Sequence, residues 1–295
     1  MAPKGLLALG FASLFACSAS EADTAQSALA DPAAKEAGPR ASPTQQTVTY
    51  DGELTQGGFI RGWAPRSAQK VTLGEQELAL SADGQFFAAF DRDAPPTLAL
   101  RATLADGSVE SETIPISPRQ WQISRVNVPK RSGGTSEAWW KRRKPEWEAI
   151  TAARAKETDA NGWQQDFIWP VKGRISGRFG RQRIYNGEPG SYHSGIDIAP
   201  GNGVPFVAPA DGVVVLARTG FSLEGGLIII DHGAGLNSAF LHASKIAVEE
   251  GQSVAQGECI GNVGATGRAT GPHLHWSLKW NSARLDPLLF TGPMN

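Results

Sequence analysis

An all-β protein is predicted from three features of the sequence. Glycine supplies 34 and proline 19 of the 295 residues, which favours many turns between short strands over long helices. Short apolar runs recur at intervals of about ten residues, separated by turn signals such as Asp83-Gly84 and Asp106-Gly107. Around His273-Leu274-His275-Trp276-Ser277-Leu278, apolar and polar residues alternate with the period of two that marks a strand. The length admits two modest domains, each able to bury its own core. A formal charge of −1 with 19% charged residues excludes a global attraction to nucleic acid or to an anionic membrane surface.

Taken in order, residues 1–17 carry Lys4 and then an apolar run ending at Leu14-Phe15-Ala16-Cys17. The run is too short to span a bilayer as a mature helix and reads as a secretory signal. Its end resembles a bacterial lipobox, which implies a lipid anchor at Cys17 and an outer-membrane lipoprotein facing the periplasm; the alternative is a plain signal peptide cut near Ala19, giving a soluble periplasmic protein. Residues 18–46 hold Ala, Ser, Asp, Glu and Pro with scarcely any large apolar side chain, and are predicted to be a disordered tether. Residues 47–128 contain strand-like runs at 47–50, 58–62, 70–73, 77–80, 85–90 and 97–100. That spacing predicts a small immunoglobulin-like β-sandwich. It has no His, so it reads as a spacer or docking module.

Residues 129–165 are predicted to be a helical linker of one or two helices, with Pro145 near a first turn or a break. The basic run Lys141-Arg142-Arg143-Lys144 reads as a solvated helix face. Residues 166–295 return to strands and turns and hold all five His of the chain, which makes them the domain with the chemistry. Cys259, in Glu258-Cys259-Ile260-Gly261, reads as a small buried hydrophobe.

On the strand near the C-terminus, His273, His275 and Ser277 share one face, while Leu274, Trp276 and Leu278 share the other. Two imidazoles on one face need partners if buried, and a metal ion is the natural one. In His193-Ser194-Gly195-Ile196-Asp197 an extended chain would place an imidazole and a carboxylate on one side. With His275 they make an N,N,O ligand set. Two His and one carboxylate with a fourth position open is a catalytic zinc arrangement, and the same trio also suits non-haem iron. HxxxD alone is a weak signal; joined to HxH in a chain with only five His, it is a strong one.

The segments His193-Ser194-Gly195-Ile196-Asp197-Ile198, Val207-Ala208-Pro209-Ala210-Asp211-Gly212, Ile230-Asp231-His232-Gly233, Leu241-His242, Gly264-Ala265-Thr266-Gly267 and Gly271-Pro272-His273-Leu274-His275 carry a resemblance. Residues 168–290 resemble the lysostaphin-type zinc endopeptidases of bacterial cell walls. The resemblance implies zinc on His193, Asp197 and His275, catalytic roles for His242 and His273, and hydrolysis of peptide cross-links in peptidoglycan. The alternative is a weak or inactive regulator that binds cell wall or activates a wall amidase. Such members typically lose metal ligands, and none is missing here. No HExxH glutamate base occurs, so His242 and His273 are the candidates for proton acceptor and oxyanion partner. The family usually carries Tyr where this chain has Phe240, which by strand alternation should point the same way as His242, beside the catalytic face. His232 reads as structural, Asp211 as a hairpin turn residue, and Arg181 and Asn186 as residues that could line the groove.

Overall fold

Apolar side chains at alternate positions build the strands of the first part of the chain. The computed structural model describes residues 46–129 and 136–294, all within one compact unit. The predicted signal, the lipobox with Cys17 and the tether up to residue 45 lie outside the described residues. Strands β1 (Thr49–Gly52), β2 (Phe59–Trp63), β3 (Ala68–Leu73), β4 (Gln76–Glu77), β5 (Gln85–Ala89), β6 (Thr97–Leu104) and β7 (Val109–Pro115) form two antiparallel sheets, ordered β1-β2-β5 and β4-β3-β6-β7. Val71, Leu100, Ala102 and Ile114 are fully buried between more exposed neighbours, whereas Phe86, Phe87, Ala88 and Ala89 of β5 are buried in succession, on both faces. Each large apolar side chain so buried contributes about 1.5–3 kcal/mol.

The second part is again β. Its strands are β8 (Ile123–Val126), β9 (Arg174–Gly177), β10 (Gln182–Tyr185), β11 (Glu188–Pro189), β12 (Ile196–Ala199), β13 (Pro205–Val207), β14 (Gly212–Phe221), β15 (Gly225–Asp231), β16 (Leu236–Leu241), β17 (Lys245–Ile246), β18 (Ser253–Val254), β19 (Cys259–Asn262), β20 (Leu274–Trp280) and β21 (Ala283–Leu285). The main sheet runs β18-β14-β15-β16-β20-β12-β9, with β21 paired to β20. One face of β15 and β20 enters the core through Ile228, Ile230, Leu274, Trp276 and Leu278. The first part packs directly on this sheet's surroundings: Phe59 stacks on Phe290 with ring centroids 4.1 Å apart, and Arg119 pairs with the buried Asp286 at 2.8 Å.

Between β8, which pairs with β10 of the second part, and β9 lies the α-helix α1 (Glu137–Arg154), capped by the Ser136 hydroxyl, which accepts from the Trp139 amide. Pro145 sits inside it and neither starts nor breaks it, contrary to the expectation from sequence. The basic run is not wholly solvated either. Arg143 is buried and donates two hydrogen bonds of 2.7 Å to the Glu224 carboxylate and one of 2.9 Å to Glu146, whereas Lys141, Arg142 and Lys144 are exposed. The helix rests on Val215, Leu227, Ile229 and Ala239 through Ala153. Because Ala239 lies opposite Ser277 and Leu241 opposite His275, α1 covers part of the same sheet face that carries His275.

Two further expectations are revised. Asp211 joins β13 to β14, which pair with different strands, so it closes no hairpin; its carboxylate accepts from the Gln165 side chain and the Gln256 amide, both at 2.7 Å. Cys259 is half-buried on β19 and not a core residue.

His232 is structural, as read. It is fully buried, donates Nδ1–H to the Asp211 carbonyl and accepts at Nε2 from the Ser238 hydroxyl, both at 2.7 Å. Burial pushes its pKa down to about 4, against the opposing pull of the Asp211 carbonyl. The unfolded chain takes up a proton near pH 6.5 and the native state does not, so stability should fall as pH drops from about 6.5 to about 4. The full effect is on the order of 3 kcal/mol. Urea unfolding of the wild type and His232→Gln should show this as a steeper pH slope in the wild type over that window; equal slopes would refute it.

Candidate metal centre

Strands β12 and β20 are antiparallel neighbours, and Asp197 stands directly opposite His275. Asp197 Oδ1 therefore lies 2.9 Å from His275 Nδ1. His193 comes from the irregular segment before β12, not from an extended strand. Gly195 lets that segment pass close to β20: a Cβ there would stand 2.3 Å from the Trp276 carbonyl oxygen and 2.9 Å from His275 Nε2. Gly177 on β9 leaves similar room, since a Cβ would fall 2.2 Å from Asp197 Oδ2. His193 Nε2 thus reaches Asp197 Oδ1 at 3.0 Å and His275 Nδ1 at 3.1 Å.

The proton inventory tests whether a metal fits. A carbonyl only accepts, so His193 must donate Nδ1–H to the Arg178 carbonyl at 3.1 Å, which leaves a lone pair on Nε2. That lone pair faces a carboxylate oxygen that also carries only lone pairs. Such a meeting requires a shared proton or a cation, and the donor atoms of all three residues lie within 4.8 Å of one another. Tetrahedral zinc with bonds near 2.1 Å would space its ligand atoms by about 3.4 Å, a few tenths of an ångström beyond the distances here. The residues present fit the metal. The carbonyl of Arg178 orients His193 in the manner of an outer-shell partner.

Electrostatics agree with the geometry. Burial would raise the Asp197 carboxyl, but hydrogen bonds from His193 and His275 hold it well below the usual carboxylate range. Burial would lower His193, yet Asp197 raises it overall. His275 is pushed down by burial, in spite of Asp197.

Two of the three remaining histidines, His242 and His273, flank this cluster. His273, just before β20, donates Nδ1–H to the Gly271 carbonyl at 2.8 Å and brings Nε2 to 3.7 Å from Asp197 Oδ1. His242 donates Nδ1–H to the Thr266 carbonyl at 2.8 Å, which leaves its Nε2 free to accept. Burial is the main reason its pKa is lowered, which favours the neutral form. Its ring lies 4.8 Å from that of His273 and 6.4 Å from that of His275. All five histidine and carboxylate residues selected from sequence are brought together. Arg181 contributes a carbonyl that accepts from the His193 amide at 2.8 Å, while Asn186 closes the turn between β10 and β11.

Phe240 is a correction. It lies on the core face, fully buried, stacked on Phe206 at 5.6 Å and Trp276 at 6.5 Å, and not beside the catalytic face. Strand β16 ends at Leu241, and His242 turns onto the opposite side with a left-handed φ of 67°. A Phe240→Tyr hydroxyl would enter this apolar packing and cost on the order of 1–3 kcal/mol. Denaturant unfolding should record that loss with turnover unchanged; altered turnover at unchanged stability would place the ring at the site after all.

Sequence reasoning missed the groups that orient the histidines, because Arg178, Thr266, Gly271 and Glu224 act through backbone carbonyls, which carry no residue signature. The Glu224 carbonyl accepts from the His242 amide at 2.8 Å, and the carboxylate of the same residue holds Arg143.

Residues 191–287 match Peptidase family M23. Over 113 residues the chain is 42% identical to "Peptidoglycan DD-endopeptidase ShyA" of Vibrio cholerae, a match covering 37% of this chain and 26% of that protein. Over 129 residues it is 36% identical to "Lipoprotein NlpD/LppB homolog" of Pseudomonas aeruginosa, covering 44% of this chain and 39% of that one. The chain therefore spans well under half the length of these curated relatives. The solved structure titled "Crystal structure of putative peptidase M23 from pseudomonas aeruginosa", 27% identical, superposes with a TM-score of 0.61 and covers 82% of this chain and 96% of that one.

Proposed function

We propose, from the match of residues 191–287 to peptidase family M23, the lysostaphin-type family, that the protein is a zinc-dependent endopeptidase hydrolysing peptide cross-links of bacterial peptidoglycan. The observation that carries the reading is the convergence of His193 Nε2, Asp197 Oδ1 and His275 Nδ1 at about 3 Å, with His273 and His242 beside them. When bound, zinc would polarise the scissile carbonyl and lower the pKa of the attacking water.

The chain's own residues supply the rest. His193, Asp197 and His275 hold the metal. His242 and His273 each keep one nitrogen committed to a carbonyl, so each has a single Nε2 with which to take or give a proton. One accepts the proton of the attacking water. The other, protonated, donates to the developing oxyanion. The inactive-regulator reading is not favoured, since no residue of the proposed ligand set is missing.

Digestion of purified peptidoglycan followed by mass spectrometry tests the proposal. Cross-linked muropeptides should fall and monomers rise, with one water added per cut, and a chelator should stop the reaction. No released peptide from protein shown to carry stoichiometric zinc would defeat it. The lipid anchor belongs to the same proposal: Cys17→Ser should move the protein from the membrane to the soluble fraction of the envelope, and unchanged fractionation would remove the anchor.

A further inference from the structure

A cavity of about 240 Å³ lies where α1 meets β20 and β21, lined by Arg154, Lys279 and Arg284 together with Ser194, Ser277 and Trp147. We propose that this pocket binds a carboxylate of the peptide substrate two to four residues from the bond that is cut, which makes Lys279, Arg284 and Arg154 specificity-determining residues. The inference rests on the hydrolytic reading above.

Its position follows from the strand period. His275, Ser277 and Lys279 occupy alternate positions of β20 and share its outer face. At about 3.4 Å per residue, Ser277 lies about 7 Å and Lys279 about 14 Å beyond His275. Ser194, at the mouth, directly follows the ligand His193. The pocket therefore begins beside the metal cluster and leads away from it along one groove. An extended peptide crossing the cluster would bring to it a carboxylate two to four residues from the cut bond, by the same rise of about 3.4 Å per residue.

Its charge is unbalanced. Three cations arrive from separate segments, and among the described residues none of them is in an ion pair. Arg154 donates to the neutral amide oxygen of Asn237. Arg284 lies over the Tyr192 ring at 5.3 Å, and Asp91 meets its backbone amide and not its guanidinium. The Glu224 carboxylate is held by Arg143 in two hydrogen bonds. Burial drives the pKa of Arg154 down to about 10, with Arg284 adding to the effect and Glu224 opposing it in part, and burial, Arg154 and Arg284 together lower Lys279. The carbonyl end of α1 offsets Arg154 in part. An anion entering the pocket would relieve the repulsion among these three cations and gain charge-assisted hydrogen bonds. Trp147, 51% exposed on α1, offers an apolar wall at the same mouth.

The test is an equilibrium titration of the metal-loaded full chain with the two peptides that the proposed cut releases. Each is used with free carboxylates and with every carboxyl amidated except the one created by the cut. For the wild type, amidation should weaken one peptide by about ten- to a hundredfold. In Lys279→Gln and in Arg284→Gln that difference should shrink to about twofold or less, while metal content and melting temperature stay level or rise, because a repelling charge has gone. Equal binding of free and amidated peptides by the wild type, or a difference that survives in both variants, overturns the proposal. So does competition by inorganic phosphate alone with no sensitivity to amidation, which would assign the pocket to free phosphate. If digestion of cell wall fails while the titration succeeds, the hydrolytic reading falls and the anion pocket stands; cleavage with amidation-insensitive binding sinks the pocket alone.

Discussion

His275→Ala is expected to lose stoichiometric metal and, with it, all peptidoglycan hydrolysis above background. His275 stands on β20, held on both sides by β16 and β12, so its Nδ1 is set by the sheet and not by a mobile loop. Removing it leaves one imidazole and one carboxylate, too few donors for a catalytic zinc site, which uses three protein ligands. Asp197 also loses one of the two hydrogen bonds that hold it ionised. The outer face of β20 is not the core face, so the domain should still fold. Metal analysis after gel filtration reads the first effect. A melting curve with and without zinc reads it independently, since ligand at a hundred times its dissociation constant stabilises by about 2.7 kcal/mol and the variant should show no such rise. A His275→Ala protein that retains one zinc per chain would disprove the ligand assignment.

Much of this site is legible in the sequence because it lies on strands, where the period of two is dependable. His273 and His275 share a face for that reason, and Asp197 meets them because β12 pairs directly with β20. The same period misleads at Phe240. Alternation carried one residue past the end of β16 puts Phe240 and His242 on one side, whereas the left-handed turn at His242 reverses the ring onto the catalytic face. No composition marks that reversal; it depends on the tip of the β14–β15 hairpin, whose Glu224 carbonyl takes the His242 amide. The linker helix is misread for a related reason. A run of four cations looks solvated on its own, and only the fold brings Glu224 against Arg143. Arg154, Lys279 and Arg284 are likewise unremarkable one by one, since their convergence needs the helix laid across the sheet.

His242→Ala should keep its zinc and lose turnover by about 10² to 10⁴, the range of a positioned general acid or base. His242 lies outside the ligand cluster, with its ring centroid 6.4 Å from that of His275 and its Nδ1–H committed to the Thr266 carbonyl, so what the substitution removes is one proton-accepting Nε2. The backbone offers a way to separate ring from conformation. A φ of 67° on a residue with a Cβ carries strain on the order of 1–3 kcal/mol, held here by the Glu224 carbonyl and the hairpin beneath it. Alanine retains that strain, whereas glycine adopts the conformation freely. His242→Gly should therefore unfold at higher denaturant than His242→Ala, yet be just as inactive, with kcat lowered and KM little changed in both. If the two variants differ in turnover as they do in stability, the backbone and not the imidazole is what the reaction uses. Metal loss in either variant would instead move His242 into the ligand set.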